Sequence, residues 1–155
     1  MRLTDILTEQ RILFDGNGAA IRDKNASLVQ LGVLISPAVG LDAPTVYGLL
    51  LEREKLQSTG IGDGVAIPHA STDGTTNQAA ALVICPAGIE FSAIDGAPVN
   101  IVFGVVGPRR ATGEHLKTLA RISRLLRDAS TRSRLIGCKD PSSAYGLIMT
   151  QDAVY

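Results

Sequence analysis

Ala79-Ala80-Ala81-Leu82-Val83-Ile84-Cys85 is an unbroken apolar run of seven residues. A second run, Ile101-Val102-Phe103-Gly104-Val105-Val106, follows it and is interrupted only by glycine. Both are too short and too rich in β-branched residues for helices, and neither alternates with polar residues. They predict strands covered on both faces. Between them, Pro86-Ala87-Gly88 and Asp95-Gly96-Ala97-Pro98 read as turns bracketing Ile89-Glu90-Phe91, so the middle of the chain predicts a meander of short strands.

Outward from this centre the period changes. On the N-terminal side a short strand is expected near residues 11–14. A helix capped by Asn25 follows, with Leu28, Leu31, Gly32 and Ile35 on one face and Pro37 and Gly40 closing it. Asp42 caps a second helix that tolerates Pro44 in its first turn, turns Val46, Leu49 and Leu50 inward and carries Arg53 near its C-terminal end. On the C-terminal side Thr112 is the expected cap of a helix with Leu116, Leu119, Ile122 and Leu126 inward. A shorter helix spans 128–135. A last one starts at Asp140-Pro141 with Ala144, Leu147 and Ile148 inward. Helices on both sides of a strand-rich middle predict one domain over residues 1–155, an α/β sandwich with a mixed sheet between helical layers.

Composition narrows the function. Fifteen basic and fifteen acidic residues cancel, and no basic footprint marks a nucleic-acid binder. No apolar run approaches a membrane span, and the first residues lack the apolar stretch of a signal peptide, so membrane insertion is not expected. Cys85 and Cys138, far apart in sequence, read as free buried thiols of a reducing cytoplasm. No Gly-x-Ser-x-Gly elbow occurs. Gly60-x-Gly62 neither opens a helix nor ends in Gly-Lys-Ser/Thr, so a nucleotide cradle is not expected.

Chemistry concentrates in Gly60-Ile61-Gly62-Asp63-Gly64-Val65-Ala66-Ile67-Pro68-His69-Ala70. Ile67 is held extended by the proline after it, and Pro68 lacks an N–H, so sheet pairing is expected to stop there. His69 would then sit on a rigid support at the surface, as a nucleophile, a metal ligand or a proton carrier. The bland alternative is a loop histidine without a role. His115, the only other histidine, falls in the first turn of its helix, where free N–H groups favour an anion and disfavour an imidazolium. Arg53 reads either as a cation complementing the helix dipole or as a guanidinium aimed at phosphate oxygens. Asp63, Asp73 or Glu114 could join the histidines around zinc or iron, but no metal-ligand spacing is present and no metal is expected.

These residues match a known pattern. Glu54, Ile61-Gly62 and Val65-Ala66-Ile67-Pro68-His69-Ala70 resemble the active-site signature of the fructose/mannitol-type enzyme IIA domains of the bacterial phosphotransferase system. Arg53-Glu54-Lys55-Leu56, Ser58-Thr59-Gly60-Ile61-Gly62, Phe91-Ser92-Ala93-Ile94-Asp95 with Pro98-Val99, and His115-Leu116-Lys117-Thr118-Leu119 are similar to the nitrogen-related branch. The resemblance implies the mannitol-type enzyme IIA fold, phosphorylation of His69 as tele-phosphohistidine, His115 as the second histidine positioning the phosphoryl group, and Arg53 beside them. It implies a cytoplasmic phosphotransferase component without cofactor. An HPr- or NPr-like phosphocarrier would be the donor, and a regulatory target or a IIB domain the next partner. A binding protein with a vestigial histidine site is the third possibility. Ala70-Ser71 departs from the glycine and basic residue common in that pattern, and residues 16–24 diverge.

Overall fold

The computed structural model describes residues 1–154. The first strand, β1 (Ile12–Phe14), follows two 3-10 turns. Helices α1 (Lys24–Val39) and α2 (Ala43–Leu56) come next. Four more strands follow the helical pair in quick succession: β2 (Gly60–Gly62), β3 (Val65–Ala66), β4 (His69–Thr72) and β5 (Ala79–Ile89). Strand β6 (Val99–Pro108) ends the sheet. Helices α3 (Thr112–Arg127), α4 (Ala129–Gly137) and α5 (Pro141–Asp152) complete the described chain.

The six-stranded sheet runs β1-β5-β6-β3-β2, with β4 also on β6. The pairs β1–β5, β3–β6 and β4–β6 are parallel, whereas β5–β6 and β2–β3 are antiparallel. The two apolar runs are therefore the central pair, and both are covered on two faces as expected. Ala80, Leu82 and Ile84 join one core with Ile122, Leu125, Leu126, Leu135 and Ile148. Ala79, Ala81, Val83 and Cys85 join the other with Leu28, Leu31, Ile35, Val46 and Leu50. This is the mixed-sheet sandwich with helices on both faces.

Several local expectations are corrected. The middle is a long β5–β6 hairpin, not a meander. Residues 86–88 lie inside β5, where the register shifts between Ile84 and Ile89. Asn100 makes this irregularity tolerable. Its side-chain amide donates to the carbonyls of Cys85 and Pro86, each at 3.2 Å. The cap of α1 is Asp23, which accepts from the Ala26 N–H at 2.8 Å; Asn25 instead accepts from the Tyr47 hydroxyl. Pro37 lies within α1, and Gly40 alone ends it, at φ 71°. Ala111 precedes α3, while the Thr112 hydroxyl donates back to the Arg109 carbonyl at 3.0 Å. Leu116 is 61% exposed and Leu125 takes its inward place. Leu49 is only half-buried. Both cysteines are free, with Cys85 buried and Cys138 half-buried. Among the described residues no helix is long and apolar enough to cross a membrane.

Candidate functional site

Pro68 does not end the pairing. Val65 and Ala66 pair with Ile101 and Val102, and His69 and Ala70 pair with Val105 and Val106. The register is unchanged across the gap, and the Pro68 carbonyl still accepts from the Val105 N–H at 3.0 Å. The proline only divides one strand path in two, since it removes one donor and shifts nothing. His69 is thus the first residue of β4, held by the sheet rather than by a loop. Helix α2 packs beside β4 and brings its last turn to the histidine.

The three residues singled out from the sequence meet here. Arg53, His69 and His115 line one open depression of about 490 Å³, with Leu49, Glu52, Leu56, Ala70 and Ser71. The two imidazoles are 5.7 Å apart between centroids and inclined by 51°. Asp63 and Asp73 lie outside this depression. Among the described residues no group of three His, Cys, Asp or Glu side chains could hold a metal ion.

The tautomer of His69 follows from its partner. Nδ1 lies 2.7 Å from the Ile67 carbonyl. A carbonyl oxygen can only accept, so Nδ1 carries the proton and Nε2 keeps the lone pair. Burial holds the ring below its ordinary value of 6.5, against the upward pull of the Ile67 hydrogen bond. The Arg53 charge lowers it further and the Glu54 charge raises it. The ring is neutral at neutral pH. His115 is also held down by burial, then by the proximity of His69. Its Nδ1 is buried and meets no hydrogen-bond partner among the described residues. A proton there would leave an orphaned donor, which is costlier than an unpaired acceptor, so the proton belongs on Nε2. The site therefore pairs a nucleophilic nitrogen with an N–H donor. Arg53 gives one donor to the Gln57 carbonyl at 2.9 Å, and its fork has four others.

Behind this layer sits Glu54, buried, with its carboxylate accepting from the Thr59 N–H at 2.9 Å and the Thr59 hydroxyl at 2.5 Å. Lys24 reaches the same carboxylate at 3.0 Å, its ammonium 4.9 Å from the Phe91 ring centre. This joins the start of α1, the end of α2 and the approach to β2. The sequence pattern pointed to Glu54 but not to Lys24, which lies thirty residues away with no local signal. Ser71 was likewise missed as a lining residue, although its spacing from His69 on a strand would have placed it on the same face.

Comparison with known proteins places the chain in a family. The family described as "Phosphoenolpyruvate-dependent sugar phosphotransferase system, EIIA 2" matches residues 6–150. The chain belongs to this family. As an EIIA 2 protein it is a phosphotransfer component of that system. It is 36% identical over 150 residues to a nitrogen regulatory protein of Pseudomonas aeruginosa, covering 96% of each chain. It is 33% identical over 148 residues to that of Bradyrhizobium diazoefficiens, covering 96% and 95%. The fructose-specific EIIABC component of Bacillus subtilis is 29% identical over 153 residues, which is 98% of this chain and 24% of that one. The crystal structure of the nitrogen regulatory protein IIA-Ntr from Neisseria meningitidis superposes with a TM-score of 0.86 at 30% identity, over 93% of this EIIA chain and 97% of that one.

Proposed function

We propose that the protein is a regulatory, nitrogen-related phosphoryl carrier that takes phosphate on Nε2 of His69 from a phosphohistidine of a small HPr- or NPr-like carrier protein in the cytoplasm. The observation that carries this reading is the 2.7 Å contact of Nδ1 with the Ile67 carbonyl, which leaves Nε2 as the reactive nitrogen beside His115 and Arg53. The neutral nitrogen attacks phosphorus in line. The bond to the carrier imidazole breaks and its electron pair stays on the carrier nitrogen. The His69 ring becomes cationic as it is phosphorylated, and its Nδ1–H bond to Ile67 then strengthens. His115 Nε2–H and the Arg53 guanidinium offset charge on the equatorial oxygens, where one donor is commonly worth ~3 kcal/mol of barrier. No cofactor or metal enters these steps.

The regulatory assignment rests on near-complete coverage of two nitrogen regulatory proteins by this chain. A sugar-specific enzyme IIA that hands phosphate to a IIB domain is the second reading, favoured by the match to part of the fructose-specific EIIABC component.

Incubation with the phosphorylated carrier, followed by intact mass, tests both. The expected result is one acid-labile phosphate, absent in His69→Ala. No uptake by the wild type overturns both readings. Capture experiments with phosphorylated and unphosphorylated protein then separate them: a soluble regulatory target favours the first and a IIB domain the second.

A further inference from the structure

Ser71 shares the depression with His69, Arg53 and His115. Strand β4 alternates: Ala70 enters the core against α1 and α2, so His69 and Ser71 share the opposite face. They stand two residues apart, roughly 6.6 Å along the strand. Both are half-buried. The neighbouring Thr72 hydroxyl accepts from the Gly74 N–H at 3.0 Å, whereas the Ser71 hydroxyl bonds to no other described residue. Its backbone is fixed by pairing with Gly107. The His69 ring is fixed in turn by its Nδ1 contact with Ile67, two residues earlier. In an imidazole the edge opposite Nδ1 is the Cδ2–Nε2 bond. The Nε2 lone pair is therefore directed away from Ile67, and His69 and Ser71 line the same depression.

We propose that Ser71 is a positioning residue for the phosphorylated state, donating its hydroxyl hydrogen to an oxygen of the phosphoryl group on His69. This rests on the phosphocarrier reading above. A tetrahedral phosphoryl group on Nε2 would present its oxygens to the lining of the depression, of which Ser71 is part. During transfer the nitrogen–phosphorus bond forms at His69 as the carrier's breaks. Ser71 keeps its proton throughout, so it acts on the stability of the product and not as an acid or base. A hydrogen bond to an anion made only in the phosphorylated form lowers that form selectively, which changes the transfer equilibrium and not only its rate.

The experiment equilibrates the full chain with a phosphorylated HPr-type carrier and measures the phosphorylated fraction of each partner, with the hydrolysis rate of the isolated phosphoprotein. Ser71→Ala and Ser71→Val are expected to accept phosphate on His69 but to shift the equilibrium about tenfold toward the carrier. Ser71→Thr, isosteric with valine but with a hydroxyl, is expected to restore it. The phosphorus resonance of the phosphohistidine should move in Ala and Val and return in Thr. An unchanged equilibrium in Ala and Val overturns the assignment of Ser71 while leaving the phosphocarrier reading intact, as does a threonine variant that behaves like valine. A wild-type chain that takes no phosphate overturns both.

Discussion

His69 and His115 are two imidazoles kept neutral by burial in a shared site, and this has consequences for both activity and stability. Both rings are held below the ordinary value of 6.5. In the unfolded chain they bind protons near that value, and in the folded chain only at lower pH. Between the two values the unfolded state binds more protons, so stability rises with pH. The expected outcome is a loss of denaturant midpoint as pH falls below 6.5, with a shallower loss in a His69→Ala, His115→Ala double variant. Equal slopes would show that the rings titrate alike in both states. Phosphate uptake should stay level as pH is lowered toward 6.5 and fall below the folded-state values. His115→Ala should still accept phosphate, but pass it on about a hundredfold more slowly, measured by single-turnover transfer. A rate like that of the wild type would remove His115 from the chemistry.

At the level of elements, the site depends on how tightly α2 sits on its neighbours. Gly32 in α1 faces the start of α2. A Cβ there would meet the Ala43 carbonyl oxygen at 2.9 Å and the Tyr47 nitrogen at 3.2 Å. These are backbone atoms, so Gly32→Ala must part the helices and is expected to cost about 1–3 kcal/mol in denaturant unfolding. Glu54→Ala removes the acceptor of the Thr59 N–H and of Lys24 and is expected to cost about 1–3 kcal/mol. It should also lower phosphate uptake, since Arg53 stands on the same turn. The same elements show what sequence can and cannot carry. The two apolar runs told of strands buried twice over because no polar residue interrupts them, and Asp42, Asp128 and Asp140 marked helix starts that the structure bears out. Pro68 and 86–88 misled, because a lost donor or a bulge is absorbed when a partner strand or an Asn100 side chain supplies what is missing. Leu116 misled because helical period alone does not say how wide the buried stripe is. The three site residues were readable as chemistry. Their meeting was implied by the family resemblance but not by spacing or periodicity, since it depends on α2 and α3 approaching one strand from separate parts of the chain.

For the molecule as a whole, the surface around the depression suits a partner that comes and goes. Leu56 is 82% exposed, Ile94 80% and Ile61 50%. Ile61 and Ile94 line a recess with Gln57 and Ser58, next to Leu56 at the edge of the site. A small apolar rim of this kind supports a transient contact. Ile61→Asp is expected to raise the KM for the phosphorylated carrier about tenfold, with kcat and thermal unfolding unchanged. A KM equal to that of the wild type would place the carrier on another face.

The unbroken register of β4 on β6 has a consequence for signalling. His69, the proposed phosphate acceptor, is paired in the sheet with Val105, and β4 keeps one register on β6 from His69 to Thr72. The two states of the protein should then share one backbone and differ by a phosphoryl group of about two negative charges, partly offset by the one positive charge on its ring, at a fixed point. What a downstream partner can sense is an altered field over an unaltered shape, so its discrimination should weaken with ionic strength.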